Sequence, residues 1–221
     1  MKINDRLKTI GDLVSANSFC LDVGCDHAFL CIYLVKKNMN IKAIASDVLE
    51  GPLKHARENI KREGLEDKIE VRLGDGLDTY SDEVDTVIIS GMGGRNMIGI
   101  FKKNLQVLKK IKTIIVSPNN YQEDVKRFLV KNGFVIDDEV MVKEKKFIYQ
   151  IIKLTRGKKR YSKREYFFGP KYLEKKDKLF KEYFERELKS REILLGVLPK
   201  NFRWKRFITK REIKMIKKEL Y

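Results

Sequence analysis

The stretch FCLDVGCDHAFL, residues 19–30, places charged side chains in a loop where small residues are usual. It is typical of a buried strand that turns through glycine into a helix. Asp26, however, occupies the second glycine position of a dinucleotide-binding G-x-G-x-x-G loop. A carboxylate at Asp26 would repel a doubly charged pyrophosphate. The loop therefore favours a ligand that presents positive charge.

Alternating elements position this loop. A first helix is predicted from Ile3 to Val14, and further helices at about 29–38, 51–63, 95–108 and 121–132. Between them lie apolar runs typical of strands, FCLDV, IKAIASDV, IEVRL, VDTVIISG and IKTIIVS. Such alternation implies an α/β fold with parallel crossovers and a sheet covered on both faces. After Gly133, two period-two runs joined at about 143–146 predict a closing antiparallel hairpin.

Five parallel strands that end in a hairpin are the ground plan of the class I S-adenosylmethionine (SAM) methyltransferases, which have a Rossmann-like sheet. The acidic motifs resemble theirs in position, and Asp22 and Gly24 match the acid and first glycine of the cofactor loop. The resemblance implies that Asp47 accepts hydrogen bonds from the ribose hydroxyls and that Asp75 accepts a hydrogen bond from the adenine amino group. SAM carries a sulfonium and an ammonium group, which agrees with a cationic ligand beside Asp26. The implied cofactor site consists of Asp22, Gly24, Asp47, Val48, Asp75, Gly76 and Gly91.

Five motifs taken together resemble the bacterial TrmK family. They are DVGCDHAFL, SDVLEGPLKHARENI, VRLGDGL, IISGMGG and SPNN. The resemblance runs from about Arg6 to Leu154 and extends weakly into FFGPKYLEKK. Members of this family methylate N1 of adenosine 22 in the D-loop region of tRNA. The resemblance therefore implies a methyltransferase with SAM as cofactor and tRNA as substrate.

The motif after the fourth strand, SGMGGRNM, bears on the atom that is methylated. Enzymes that methylate exocyclic amino groups generally have D/N-P-P-aromatic at this point, and this chain does not. A ring nitrogen such as N1 has a free lone pair and needs no prior deprotonation. Gly91, Gly93 and Gly94 would leave room for a flat base, or form only a tight turn. Met92 would line the base, and Asn119 would bind its edge or serve as an ordinary turn residue.

Three roles are open for Asp26. It could accept a hydrogen bond from adenine N6–H and stabilise positive charge that develops on the purine. It could instead hold the SAM ammonium group, or cap the following helix. The first role places Asp26 with Met92 and Asn119 among the catalytic residues. His27 is expected to begin a helix, with contact to the SAM carboxylate or to the RNA as the alternative, and His55 is expected to lie on the surface.

Three cysteines, Cys20, Cys25 and Cys31, lie close together in the sequence. Their odd number gives no disulfide framework, and the C-x4-C-x5-C spacing is not a zinc pattern. They are expected to be small buried hydrophobic residues. No metal site is predicted.

Positive charge is concentrated at the end of the chain. The net charge is +17, and the part from Arg156 onward holds 23 Lys and Arg against 9 Asp and Glu. A basic tail indicates a polyanionic partner, unless the lysines form only a solvated surface. We expect a methyltransferase domain over 1–155 and an RNA-binding domain over 156–221. The expected RNA-binding residues are Arg6, Lys158, Lys159, Arg160, Arg164, Arg203, Lys205 and Arg206.

Arg6 has two further interpretations, as an anchor for the cofactor carboxylate or as part of a helix salt bridge. The tail itself predicts a coiled-coil-like helical hairpin, with one helix from Gly169-Pro170 to Pro199 and a second that begins at a T-x-x-E box, Thr209 to Glu212. The loop KNFRWKRF, residues 200–207, mixes aromatic and basic residues. It suits RNA phosphates and stacked bases, or aromatics that close a hairpin core.

Composition limits the remaining possibilities. No apolar run approaches the ~20 residues that span a bilayer, and the N-terminus lacks a signal-peptide pattern. A cytoplasmic monomer is expected.

The leading alternative function is a non-catalytic RNA-binding protein with a degenerate SAM-type fold, which the acids Asp22, Asp47 and Asp75 oppose. An NAD-dependent oxidoreductase is opposed by Asp26 and by the closing hairpin.

Overall fold

The structure, a computed structural model, describes residues 3–221 and contains a mixed sheet of seven strands. The strands are β1 (Phe19–Val23), β2 (Lys42–Asp47), β3 (Ile69–Leu73), β4 (Thr86–Ser90), β5 (Thr113–Ser117), β6 (Phe134–Glu144) and β7 (Phe147–Arg156). The helices beside them are α1 (Asp5–Asp12), α2 (Phe29–Lys37), α3 (Glu50–Arg62), α4 (Gly94–Lys103), α5 (Leu105–Leu108) and α6 (Gln122–Lys131). A short 3₁₀ helix, Gly76–Thr79, follows β3.

The order of the strands across the sheet is β3-β2-β1-β4-β5-β7-β6. Strands β1 to β5 are parallel, and β7 is antiparallel to both β5 and β6. The predicted parallel arrangement closed by a hairpin is therefore confirmed. Because the chain moves outward from β1 to β3 and in the opposite direction from β4 onward, a crevice opens between the carboxyl ends of β1 and β4. Ligands of open α/β sheets bind at such a switch point.

Apolar side chains bury both faces of the central strands, as parallel sheets require. On β4, Ile88 packs into a core with residues of α2 and α3. Its neighbours Val87 and Ile89 point to the other face and pack with residues of α4 and α6. The central strands are thus packed between two cores, which fix the positions of the strand ends from which the loops after β1 and β4 begin.

The three cysteines lie in the first of these cores as free, buried side chains. Burial raises the pKa of Cys20, Cys25 and Cys31 above the ordinary value, so the thiols stay protonated. Their predicted role as small buried hydrophobic residues is confirmed. Within residues 3–221, no three His, Cys, Asp or Glu side chains are grouped so that they could hold a metal ion.

A fully buried ion pair links α6 to the hairpin. Lys126 Nζ lies 3.4 Å from Glu139 Oε1, and neither side chain is exposed to solvent. Burial lowers the pKa of Lys126, while the adjacent Glu139 carboxylate opposes this change. Neither residue stands out in the sequence, because single charges are common in amphipathic helices and strands.

The chain divides into two compact units, one that ends at Tyr161 and one from Ser162 to Tyr221. The first extends past residue 155, where the Tyr161 hydroxyl accepts a hydrogen bond from the Ile136 backbone N–H at 2.9 Å. No helix in residues 3–221 has the length and apolar character needed to cross a membrane. The second unit contains α7 (Lys163–Phe168), α8 (Pro170–Lys175), α9 (Lys178–Val197) and α10 (Arg203–Leu220).

Helices α9 and α10 form the predicted helical hairpin. They are antiparallel, since contacts move back along α9 as α10 advances: Arg206 bonds to Leu195, and the later Glu212 pairs with the earlier Arg191 at 2.8 Å. The coiled-coil character of this hairpin stays a prediction.

The prediction of one continuous helix before Pro199 is wrong. Lys176 adopts a left-handed conformation (φ 41°) that ends α8, and the Asp177 side chain caps α9 by accepting from the Phe180 N–H at 2.8 Å. Helix α7 was not predicted, although Ser162 and Glu165 form a complete capping box. The signal for that helix was present as S-K-R-E within a run of basic residues.

The predicted helix start at Thr209 is also wrong. Helix α10 begins at Arg203, and Thr209 lies inside it, where its Oγ1 donates to the Lys205 carbonyl at 2.9 Å. Glu212, the other half of the expected capping box, pairs with Arg191 at 2.8 Å instead. Residues 203–208 contain no glycine or proline, so nothing in them prevents the helix from starting earlier.

Candidate active site

The loop after β1 turns sharply at the carboxyl edge of the sheet. Gly24 has φ 76°, a conformation that favours glycine, and the backbone N–H groups of Gly24 and Cys25 both donate to the Ser46 carbonyl on β2. The Met92 side chain, from the loop after β4, lies 3.5 Å from the position that a Cβ of Gly24 would occupy. The fold therefore brings two predicted site residues, Gly24 and Met92, together across the switch point.

A cavity of about 370 Å³ lies at this point. It is lined by residues of α1, of the loop after β1 and of the end of β4. Among these are two carboxylates, Asp22 and Asp26, and one arginine, Arg6. A ligand with both cationic and anionic groups would match this set of charges. The methionine part of SAM has that character.

Asp22 is buried at the floor of the cavity. Burial raises the pKa of its carboxyl group to about 7; the Cys31 thiol, which donates to Oδ2 at 3.9 Å, opposes the rise, and the charge of Asp47 adds to it. A cation placed beside Asp22 would favour the ionised form. Without such a cation, the pKa of Asp22 lies close to neutral pH.

Asp26 is exposed at the rim of the same cavity. Its side chain is 71% exposed and its Oδ1 lies 3.5 Å from His27 Nε2. The backbone is left-handed at both Asp26 (φ 51°) and Ala28 (φ 59°). Non-glycine residues in this conformation cost energy and are frequent at functional sites.

The helix-cap interpretation of Asp26 is wrong. Helix α2 begins at Phe29 with Ala28 at the cap position, and no side chain caps it. The carboxylate of Asp26 therefore makes no capping hydrogen bond to the helix. The two remaining roles are contact with the base and contact with the cofactor ammonium group.

Arg6 reaches into the cavity from α1. Its guanidinium nitrogens lie 3.4 Å from the position that a Cβ of Gly91 would occupy, and its Cζ lies 4.8 Å from the centre of the Tyr149 ring. Gly91 has φ 78°, a conformation that favours glycine.

Arg6 Nε is buried and has no hydrogen-bond partner. Among residues 3–221 the guanidinium has no carboxylate within 4 Å, so the predicted alternative of a helix salt bridge is not formed. A buried donor without a partner is unfavourable by about 1–3 kcal/mol, and such a group calls for an explanation. An anionic ligand group in the cavity would supply the missing acceptor.

The ends of β2 and β3 carry the other predicted cofactor residues. Asp47 accepts a hydrogen bond from the Leu49 N–H at 3.0 Å through Oδ1, and Val48 beside it is exposed. Asp75 pairs with Lys103 of α4 at 3.1 Å. The sequence did not indicate this lysine, which partly neutralises Asp75.

Gly76 completes this edge. It has φ 58°, and a Cβ there would lie only 2.7 Å from Ile100 Cγ2. The residue is therefore required to be glycine by conformation and by packing against α4. Because Gly76 has no side chain, the backbone next to Asp75 is open to close approach by the adenine ring, as the predicted adenine site requires.

The glycines after β4 do not share one role. A Cβ on Gly94 would lie 2.4 Å from the Asn120 carbonyl oxygen, and the Asn120 side chain lies against Gly93 and accepts from the Gly94 N–H at 3.1 Å. The expectation that Gly93 and Gly94 leave room for a base is therefore wrong, because Asn120 fills that space. Asn119 donates from Nδ2 to the Gly91 carbonyl at 2.8 Å, which fixes its amide beside the cavity loop.

The predicted RNA-binding residues fall into four groups. Lys158, Lys159 and Arg160 are exposed in the segment between β7 and α7. Arg203 and Lys205 are exposed on the first turn of α10. Arg6 lines the cavity at the end of β1 and β4. The remaining two, Arg164 and Arg206, are engaged within the second unit.

These two arginines have partners inside the protein. Arg164 forms two hydrogen bonds to Glu219, at 2.6 and 2.7 Å. Arg206 donates to the carbonyl oxygens of Leu195 and Leu198 and so fastens the end of α9. Both arginines keep their positive charge, but their hydrogen bonds are made to other residues of the second unit.

The strand order, with its antiparallel seventh strand and acidic carboxyl edge, defines a class I SAM-dependent methyltransferase. Over residues 20–218 the chain matches the model of the TrmK family, tRNA (adenine(22)-N(1))-methyltransferase. The chain belongs to this family, and membership makes it a SAM-dependent enzyme that methylates N1 of adenosine 22 in tRNA. The resemblance found in the motifs is thereby confirmed.

Individual relatives agree with this assignment. The tRNA (adenine(22)-N(1))-methyltransferase of Bacillus subtilis is 30% identical over 158 residues, which span 71% of this chain and 66% of that protein. A provisionally assigned tRNA (m1A22) methyltransferase from Streptococcus pneumoniae, solved in complex with S-adenosyl-L-methionine, is 32% identical, with a TM-score of 0.91 over 100% of both chains. TrmK of M. capricolum, in complex with S-adenosyl-homocysteine, is 28% identical, with a TM-score of 0.88 over 100% of this chain and 98% of that one.

Proposed function

We propose that the carboxyl edge of β1, β2 and β3 holds SAM and that the target adenine enters between the ends of β1 and β4. The observation that carries this proposal is the cavity lined by Asp22, Asp26 and Arg6, whose buried Nε has no hydrogen-bond partner. Its charges complement the ammonium, sulfonium and carboxylate groups of one ligand. When bound, SAM supplies an electrophilic methyl group.

Each acid along this edge has its own task. Asp47 accepts hydrogen bonds from the ribose hydroxyls through the oxygen that is not used by Leu49. Asp75 accepts from the adenine amino group, while Gly76 keeps backbone close to the ring. Asp22 places negative charge below the cationic part of the ligand. Val48, Gly24 and Gly91 form the walls of this site.

Asp26 acts on the target base rather than on the cofactor. The adenine N1 lone pair attacks the methyl carbon, the carbon–sulfur bond breaks, and positive charge appears on the purine, spread over N1 and N6. Asp26, exposed at the rim, accepts a hydrogen bond from N6–H and stabilises this charge as it develops. Met92 lines the base, and Asn119, held by its bond to Gly91, presents Oδ1 to the edge of the base.

Arg6 is reassigned from RNA to the cofactor. It binds the carboxylate of the methionine part, and Tyr149 and Gly91 hold its guanidinium in place. This role explains the unpartnered Nε, which phosphate contact at an exposed surface would not. The tRNA backbone is left to the exposed cations outside the cavity, among them Lys158, Lys159 and Arg160. We further propose that the protein acts as a cytoplasmic monomer.

Arg6→Met is expected to weaken SAM binding by roughly 10- to 100-fold, because a hydrogen-bonded ion pair is lost. Calorimetry with SAM and with decarboxylated SAM provides the check. The decarboxylated ligand should bind Arg6→Met and the unmodified protein almost equally. Arg95→Met is the matched control, since Arg95 also stacks on a tyrosine, Tyr121 at 4.2 Å, but does not line the cavity. Equal loss of affinity for both ligands would refute the carboxylate contact.

The affinity for SAM should also depend on pH through Asp22. The ionised carboxylate binds a cation and the protonated form does not, so affinity rises as pH increases toward and through the pKa of about 7. Between about pH 6 and pH 7 the ionised fraction grows roughly fivefold, while an α-amino group, with a pKa near 7.7–8.0, stays largely protonated. Asp22→Asn should flatten this dependence. An unchanged pH profile in that variant would remove Asp22 from the site.

A further inference from the structure

The turn between α9 and α10 exposes aromatic side chains. We define the hairpin tip as residues 193–211. Within it, Phe202, Trp204 and Phe207 are 51%, 73% and 49% exposed. The sequence left open whether these rings close a hairpin core. They do not, because the aromatic core of this unit is formed elsewhere, by Phe168, Phe180 and Phe184 among others.

Two of these rings form a platform. The ring centres of Trp204 and Phe207 are 5.8 Å apart and their planes differ by 26°. They stand three residues apart on α10 and so share one face of the helix. The start of this helix is fastened by Arg206, which bonds to the last carbonyl groups of α9. The platform is therefore preorganised before any partner arrives.

The hairpin tip is strongly basic. It contains six Lys and Arg residues and no Asp or Glu. Among residues 3–221, no carboxylate within 4 Å pairs with the exposed cations Lys200, Arg203, Lys205 or Lys210. Farther along the hairpin, by contrast, Lys217 pairs with Glu192. The exposed rings of the hairpin tip thus lie among cations that no carboxylate of residues 3–221 neutralises.

Aromatic and basic residues are interleaved at the tip rather than separated. With about 3.6 residues per turn, Arg211 falls on the same face as Trp204 and Phe207, and its Cζ lies 5.7 Å from the centre of the Phe207 ring. A helix that lies on a membrane separates its apolar face from its cationic face. Single-stranded nucleic acid instead needs flat rings for its bases and cations beside them for its phosphates. This arrangement favours RNA over a lipid surface.

We propose that the hairpin tip binds an unpaired segment of the tRNA, with one base stacked on Trp204 and Phe207 and the neighbouring phosphates held by Arg203 and Lys205. The inference rests on the proposed function only in taking tRNA as the partner. It adds a second contact with the substrate, separate from the residues that bind the target adenine. Stacking tolerates any base, so this contact contributes affinity rather than sequence specificity.

Trp204 is the only tryptophan of the chain, so its fluorescence reports on the tip alone. The full-length protein is titrated with unmodified tRNA, a single-stranded oligonucleotide, a blunt RNA duplex and anionic phosphatidylglycerol vesicles. Stacking should quench the emission with tRNA and with the single strand, and much less with the duplex or the vesicles. A response to the vesicles without quenching by the single strand would overturn the proposal in favour of a lipid surface.

Variants provide a second readout. Trp204→Ala and Phe207→Ala should each weaken tRNA binding by roughly 5- to 150-fold, as the loss of a stacked base predicts, and Trp204→Phe should restore most of it. Tyr221→Ala, which removes an exposed ring outside the tip, should have no effect. SAM affinity and the rate at saturating tRNA should stay unchanged in all of them. If the alanine variants bind tRNA normally while methylation persists, the tip proposal fails and the proposed function stands.

Discussion

Asp26→Asn is expected to lower kcat by roughly 10²- to 10³-fold and to leave the Kd for SAM almost unchanged. Removing a preorganised group that stabilises charge in the transition state has an effect of this size. Asparagine has the same shape and tolerates the left-handed backbone found at Asp26, so the loop should keep its form. Rates at saturating SAM and tRNA, together with calorimetric SAM affinities, separate the two quantities.

The matched control for this variant is Asp82→Asn. Asp82 is 76% exposed, close to the 71% of Asp26, but it precedes β4 and so lies at the opposite edge of the sheet. This control should keep full activity. If Asp26→Asn instead weakens SAM binding but keeps near-normal turnover at saturating SAM, Asp26 holds the cofactor ammonium group. Near-normal turnover together with an unchanged Kd for SAM would leave it with neither role.

Lys126→Met is expected to lower the free energy of unfolding by about 3–5 kcal/mol, because it removes the cation that lies beside the fully buried Glu139 carboxylate. That is a large part of the 5–15 kcal/mol by which domains of this kind are stable. Urea denaturation followed by circular dichroism measures the change. The same loss is expected from Glu139→Leu, which leaves the lysine unpaired.

The double variant Lys126→Met, Glu139→Leu distinguishes the ion pair from simple packing. Replacing both charges with apolar side chains of similar size removes the buried charge altogether, so most of the lost stability should return. If the two single losses simply add, the pair is not the reason for them. Single variants within about 0.5 kcal/mol of the unmodified protein would contradict the account of this pair.

The sheet could be predicted from the sequence because its signals are local. Each buried strand is a short apolar run that is bounded by polar or glycine residues. Because Asp22, Asp47 and Asp75 lie at or just beyond the carboxyl ends of such runs, they fall at one edge of the sheet. The change to period-two alternation after Gly133 marked the antiparallel hairpin in the same way. Such patterns depend only on which side chains are buried, and burial here follows the expected periods.

The contacts that were not predicted depend on residues far apart in the chain. Arg6 meets Gly91 and Tyr149 only after α1, β4 and β7 are assembled, and no motif joins the three. Lys103 reaches Asp75 from another element in the same way.

The error at Thr209 has a local cause. The capping-box pattern predicted a helix start at Thr209, but the six residues before it also tolerate a helix. The hydrogen bonds from Arg206 to the end of α9 favoured the earlier start. A capping pattern indicates where a helix can begin, while tertiary contacts decide where it does begin.

Nucleoside mass spectrometry of an unmodified tRNA transcript, incubated with the protein and SAM, tests the central claim most directly. The predicted result is one 1-methyladenosine per tRNA, absent when SAM is omitted and absent from a transcript in which adenosine 22 is replaced by guanosine. A transcript that stays unmethylated, or that acquires N6-methyladenosine instead, would contradict the account.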